Sequence, residues 1–228
     1  MIRLFHEIVA FATWYNAVFL VEAGARTLLL SASGCLCGFL LGFLLAVLRH
    51  TVGRTLLPLR ILGVLYTEVF RRIPFLVTLF LVFYAFQALN MDVPLFWIAV
   101  VSTCVIGTAY LSEVVRAGFA AVPRAEWDAA TTMNFSLFQT LHHVVVPQAW
   151  RTIVPPAFAF FLSFIKDSAL ASQIGVVELA YAGKVFNNRG LPPSIAFGSV
   201  LLAYFVISYP LAKAGARVEG RLALSRAH

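Results

Sequence analysis

Residues Thr27–Leu48 read TLLLSASGCLCGFLLGFLLAVL, 22 residues without one Lys, Arg, Asp or Glu. An α-helix rises about 1.5 Å per residue and closes its backbone hydrogen bonds within itself, so ~20 such residues cross the roughly 30 Å hydrocarbon core of a bilayer. Four further stretches are equally free of charge: Ile73–Met91, Val93–Ser112, Thr152–Ile165 and Leu191–Ala212. The composition, 61% hydrophobic and 12% charged, is too apolar for a soluble domain with a polar surface. The expected fold is an all-α integral membrane protein of about five transmembrane helices, forming one transmembrane domain over residues 1–228.

Two of the five spans read as interrupted. Thr152–Ile165 is too short to cross alone and continues past Lys166 and Asp167 into Ser168–Val177. The apolar Ile61–Thr67 meets Glu68, Arg71 and Arg72 before Pro74 and the next apolar run. Pro74 donates no amide and clashes with the turn before it, so the helix kinks or opens near Phe70–Phe75. Freed backbone at membrane depth is tolerated only beside a cavity or inside protein, and ionisable residues within a span are costly. By analogy with secondary transporters, whose interrupted spans hold substrate, Ile73, Pro74, Phe75, Lys166, Asp167 and Ser168 are candidate pathway residues. The competing reading is a Lys166–Asp167 pair that only locks packing.

Basic residues favour cytoplasmic connections. The orientation that satisfies this puts the N-terminus outside and the C-terminus in the cytoplasm. Arg49, Arg54, Arg60, Arg116, Arg124, Arg151, Lys213, Arg217, Arg221 and Arg226 then face inward, and Arg3, Arg26, Lys184 and Arg189 outward. The net charge of +7 is accounted for by topology and anionic headgroups and calls for no nucleic acid. Residues 1–21 resemble a signal peptide, but Trp14 and Tyr15 suit an interfacial anchor ahead of the first span. Cys35, Cys37 and Cys104 fall inside spans as small packing residues, with no disulfide framework or metal-ligand spacing.

The longest inward connection is 113–151, with helices expected over Glu126–Met133 and Leu137–Val146. Asn134 tolerates the left-handed conformation that ends a helix. Ser136 and Gln139 form a capping box, and Pro147 is expected to stop the second helix. The pair Ala129–Ala130 permits close approach of another protein, although an ordinary surface hairpin fits the pattern equally well. Glu113 and Arg116, three apart, are placed to pair. They and Glu68 with Arg72 are read as gate or structural pairs. His142 and His143 are neighbours on different faces and read as surface or interface residues.

The segment AEWDAATTMN (125–134), followed by VVPQA (145–149), resembles the cytoplasmic EAA loop of bacterial ABC importer permeases, specifically the polar amino-acid permease family. The family pattern is Gly-Gln-x-Glu-Ala-Ala-x-x-Leu-Gly, then Leu-Pro-Gln-Ala. Ala125, Glu126, Asp128, Met133 and Asn134 depart from it, whereas Ala129, Ala130, Pro147, Gln148 and Ala149 match. YTEVFRRIPFL (66–76), AYLSEVVRAG (109–118) and KDSAL (166–170) resemble further family segments in family order. The resemblance implies a permease subunit of an inner-membrane ABC importer carrying amino acids. Ala125, Glu126, Asp128, Ala129, Ala130, Met133 and Asn134 would then dock on an ATP-hydrolysing subunit. It also implies a second permease chain, two ATP-binding subunits that carry the ATP and magnesium, and an extracytoplasmic amino-acid-binding protein. This chain itself is expected to bind no cofactor and to be no enzyme: Gly-x-Ser-x-Gly, His-Glu-x-x-His, Cys-His and Walker A patterns are all missing. A stand-alone transporter or channel for small polar solutes is the alternative. Phe160, two turns before Asp167, would set an apolar ring in the pathway and favours a neutral or acidic amino acid over a basic one.

Overall fold

The computed structural model describes residues 11–50 and 56–224; Arg3, Arg54 and Arg226 of the orientation reading lie outside them, whereas the anchor residues Trp14 and Tyr15 are described and both exposed. The described residues form α1 (Trp14–His50), α2 (Leu57–Phe70), α3 (Phe75–Ala88), α4 (Leu95–Ala120) and α5 (Arg124–Thr132). A single turn, α6 (Leu137–Thr140), runs through a π-helical turn (Leu141–Val145) into α7 (Val146–Asp167), which tightens into a 3₁₀ segment (Ser168–Ile174). The short α8 (Leu179–Asn188) and the long α9 (Pro193–Leu224) follow. No strand occurs among the described residues. Four described helical segments are long and apolar enough to cross a membrane, or five if the bent pair α2 and α3 counts as one span.

The helices outrun the apolar stretches that predict them. The first begins at Trp14 rather than Thr27, because the Thr13 hydroxyl accepts the amide of Asn16 and caps it. Glu22 and Arg26, one turn apart and both exposed, cause no interruption. Helix α4 continues through Glu113 and Arg116 to Ala120, so much of the expected 113–151 connection is already helix.

The expectation that Pro147 stops a helix fails. The chain stays helical from Leu137 to Ile174. An α-helical proline collides with the carbonyl four residues back, but here the turn before it widens, with Val146 donating its amide to Leu141 five residues away. Lys166 and Asp167 likewise mark a change of winding from α to 3₁₀ rather than a break. The break at Pro74 is real: Arg71–Pro74 separate two helices of 14 residues each. Ile73–Met91 is therefore not a spanning helix by itself.

Contacts divide the chain into two units, each assembled from separate segments. One contains residues 11–34, 75–103 and 161–213. Its core is Ala23, Leu179, Ala182, Phe186, Ala196 and Val200, with Phe11 and Phe19 set edge-on to Phe186. In this unit a Cβ on Gly34 would lie 2.4 Å from Thr103 Cβ. The other unit contains residues 35–50, 56–74, 104–160 and 214–224, and there Ala46, Val115, Phe119, Val122, Leu141, Val145, Ala149 and Ile153 form the core. A Cβ on Gly38 would stand 2.9 Å from Gly107 Cα, and one on Gly42 would stand 2.8 Å from the Ser112 amide. The Gly34, Gly38, Gly42 stripe thus brings the α1 and α4 backbones into contact, the small-residue packing that membrane helices favour.

Candidate functional site

The Arg124–Thr132 helix is fixed to the chain by one face. Trp127 packs into the core around Phe119 and meets the His50 ring edge at 5.1 Å, while His50 stacks on Phe119. Ala130 is 2% exposed, one turn from Trp127. Of the paired alanines only Ala129 faces outward, together with Ala125, Glu126, Asp128, Met133 and Asn134. Ala125, Ala129 and Met133 are spaced four apart and so share a face. Met133 is 67% exposed and Phe138 75%. The small residue at 130 serves this chain's own packing, and the open face belongs to 125, 129 and 133.

The turn after α5 is built as its residues demand. Asn134 takes φ +57°, the Asn134 amide donates to Thr131 O and the Phe135 amide to Ala130 O, a Schellman closure. Ser136 Oγ accepts the Gln139 amide at 3.3 Å, and the Ser136 amide donates to Gln139 Oε1 at 2.8 Å. Both halves of the expected capping box are present.

In the same unit, Glu113 is the meeting point of three arginines. Arg49 and Arg116 both donate to it, Arg116 Nη2 at 2.8 Å, and Arg71 Nη1 stands at 4.0 Å. The Arg49 and Glu113 side chains are only 14% and 15% exposed. The expected Glu113–Arg116 pair is therefore part of a larger cluster that also draws in the end of α1. Arg72 instead pairs with Glu68 at 2.6 Å on the exposed side. Arg71, not chosen as a candidate, is the better held. Tyr110 Oη donates to its carbonyl at 3.0 Å, and its guanidinium lies 5.7 Å from the Tyr110 ring centroid. Phe160 stacks on the other partner of this group, with Phe160 and Tyr110 centroids 5.4 Å apart.

Among the other expected pathway residues, Ile73 is half-buried and Pro74 exposed. The amides of Ile73 and Phe75 meet no backbone acceptor among the described residues. Phe75 belongs to the first unit, where it is buried edge-on against Phe164 at 4.8 Å. Lys166 and Asp167 are exposed, and no ion pair joins them among the described residues. Ser168 is buried, its hydroxyl donating to Ile165 O. Phe160 and Phe75 lie in different units.

The sequence reading missed Glu178. It is fully buried at the N-terminus of α8, where its carboxylate accepts the amides of Ala180 and Tyr181 at 2.9 and 2.7 Å and the Tyr204 hydroxyl at 2.9 Å. Burial nevertheless pushes its pKa above the ordinary glutamate value, against those hydrogen bonds and the nearby Lys184. An acid directly ahead of a short apolar helix was the available signal.

Comparison with known proteins places this architecture. The L-cystine transport system permease TcyB of Bacillus subtilis is 34% identical over 81% of this chain and 78% of its own length. The glutamate/aspartate import permease GltJ of Escherichia coli is 31% identical over 80% of this chain and 78% of its own. The crystal structure of an amino acid ABC transporter with histidines has a chain that superposes with a TM-score of 0.81 at 24% identity, covering 91% of this chain and 95% of that one. The inward-facing MetNI methionine ABC transporter matches with a TM-score of 0.77 at 20% identity, over 92% of this chain and 99% of that one. The family model for binding-protein-dependent transport system inner membrane components matches residues 38–217. With that match joining the described spans and the exposed face of α5, the chain belongs to the family of binding-protein-dependent transport system inner membrane components, the permeases of ABC transporters.

Proposed function

We propose that this chain is the permease subunit of a bacterial inner-membrane importer that moves amino acids by alternating access, driven by ATP hydrolysis on a separate subunit. The observation that carries the reading is the Arg124–Thr132 helix. It is anchored through Trp127 and Ala130 and offers a clear face of Ala125, Ala129 and Met133 flanked by Glu126 and Asp128. Outside a bilayer, an exposed apolar patch of this kind is a mark of protein contact. The assembly has two permease chains, two ATP-binding subunits holding ATP and magnesium, and an extracytoplasmic binding protein. The Arg124–Thr132 helix lies in the cytoplasm with the C-terminus, and the N-terminus lies outside.

Substrate passes the Arg71–Pro74 break. The candidate pathway residues are Ile73, Pro74 and Phe75 at that break, Lys166, Asp167 and Ser168 at the change of winding, and Phe160, whose apolar ring favours neutral or acidic amino acids.

Co-purification of the ATPase from membranes tests the coupling face. Ala129→Arg is expected to abolish attachment while the permease still inserts and melts normally, because residue 129 is exposed. Full attachment and uptake in Ala129→Arg would remove the docking assignment. Asp167→Asn and Phe160→Ala test the pathway through substrate-stimulated ATP hydrolysis in proteoliposomes; unchanged rate and selectivity in both would move the substrate site elsewhere.

A further inference from the structure

We propose that the cleft formed by α2 and the adjoining ends of α1 and α4 binds the phosphate headgroup of an anionic phospholipid. The cleft measures about 620 Å³ and lies wholly within the unit whose core holds Phe119. Its basic lining is Arg49, Arg60, Arg116 and His50, with Glu68 the one acid.

Those charges do not cancel. Glu68 is held by Arg72, and Glu113 is shared by Arg49 and Arg116 with Arg71 beyond. Arg60 faces no acid among the described residues. Its place is also unfavourable for a lone cation, in the first turn of α2, where the helix dipole and uncapped amides favour an anion. The residue before that helix, Leu56, contributes no side-chain cap. A further observation is independent of these. His50 Nε2 is buried without a hydrogen-bond partner among the described residues, and such an orphan is costly unless a ligand or water meets it. A phosphate in the cleft supplies an acceptor for Arg60, with His50 on the same lining.

The other wall decides between a lipid and a soluble anion. Leu57, Ile61 and Leu65 recur every fourth residue along α2, line the cleft and remain exposed. A soluble phosphate gains nothing from such a ridge, whereas an acyl chain covers it as the headgroup meets the arginines. Basic pockets between membrane helices at the level of the headgroups take anionic lipids on these terms.

The test is native mass spectrometry of the purified full-length permease in detergent, titrated with phosphatidylglycerol or phosphatidylcholine of matched chains. Phosphatidylglycerol is expected to bind more than about five-fold more tightly, one guanidinium's usual share of anionic-lipid attraction. Arg60→Gln should erase most of that preference, and Ile61→Trp, which fills the cleft without touching a charge, should weaken both lipids. Equal affinity for the two lipids, or an unchanged preference in both variants, overturns the proposal. So does displacement of the lipid by inorganic phosphate at equal concentration, which would make the cleft a site for free anions, or by an acidic peptide, which would make it a protein contact.

Discussion

Replacing Gly38 with alanine adds one methyl group where α1 and α4 touch backbone to backbone. The new carbon would stand 2.9 Å from both Cα and C of Gly107 and 3.0 Å from the Thr108 amide nitrogen. Carbon contacts are favourable near 3.5–4.0 Å, so relief needs the helices to part by roughly 0.6–1 Å. All three neighbours are main-chain atoms, and none can swing aside. Overpacking of this kind costs about 1–3 kcal/mol. Against it stands the gain of about 1 kcal/mol from alanine over glycine inside a helix. The expected net is a loss of up to about 2 kcal/mol. Gly220, also within a helix, has nothing within 4 Å of its added carbon, so Gly220→Ala keeps only the gain. The two substitutions, chemically identical, should therefore shift stability in opposite directions. Thermal unfolding of the two purified variants in the same detergent measures this. If Gly38→Ala melts at or above the parent, the α1–α4 approach is looser than described and the reasoning fails.

Glu113→Gln leaves Arg49 buried against a neutral amide and should cost about 3 kcal/mol, the low end for breaking a buried pair because Arg116 stays solvated; Arg116→Gln should cost under about 1 kcal/mol, and equal losses in denaturant titrations would dissolve the distinction. Glu178 binds its proton more tightly in the folded chain than in the unfolded one. Its contribution to stability is thus full below the unfolded pKa and declines as pH rises through the elevated folded value. Acidification from neutrality toward the ordinary glutamate range should raise the melting temperature of the parent relative to Glu178→Gln; a pH-independent difference between the two would show that burial does not perturb Glu178. Reporter fusions should read cytoplasmic after Arg54 and Arg221 and external near Asn188, and a cytoplasmic signal at Asn188 would overturn the five-span count.

Charge-free runs located every long helix, because lipid leaves the backbone no partner outside its own helix. They did not bound the helices, since Glu22 with Arg26 and Glu113 with Arg116 sit on helical faces at no cost to the winding. Local chemistry was legible where it is strictly local: the positive φ of Asn134, the Ser136–Gln139 box and the opening at Pro74 follow from a few consecutive residues. Pro147 misled because its effect depends on the turn before it, and widening that turn costs less than ending the helix. The helix over Arg124–Thr132 was legible, but not which of its two adjacent alanines faces outward, for that is set by Trp127 meeting His50, far away in sequence. Arg49 at Glu113 lay hidden for the same reason, 64 residues distant. The glycine stripe was visible as spacing and was simply passed over.

The π-helical turn at Leu141–Val145 holds one residue more than an α-helix needs for the same rise. In terms of chain length it is an insertion already absorbed, and the two helical faces on either side are out of phase by about 100°, one residue's rotation. Removing His142 would let the turn close as α-helix, swing Leu137–Thr140 around the axis by that angle and drive the Pro147 ring into the carbonyl four residues behind it. One residue more or less in this turn therefore changes both the facing of Leu137–Thr140 and the fit of Pro147, so the length of the turn and the proline at 147 depend on each other.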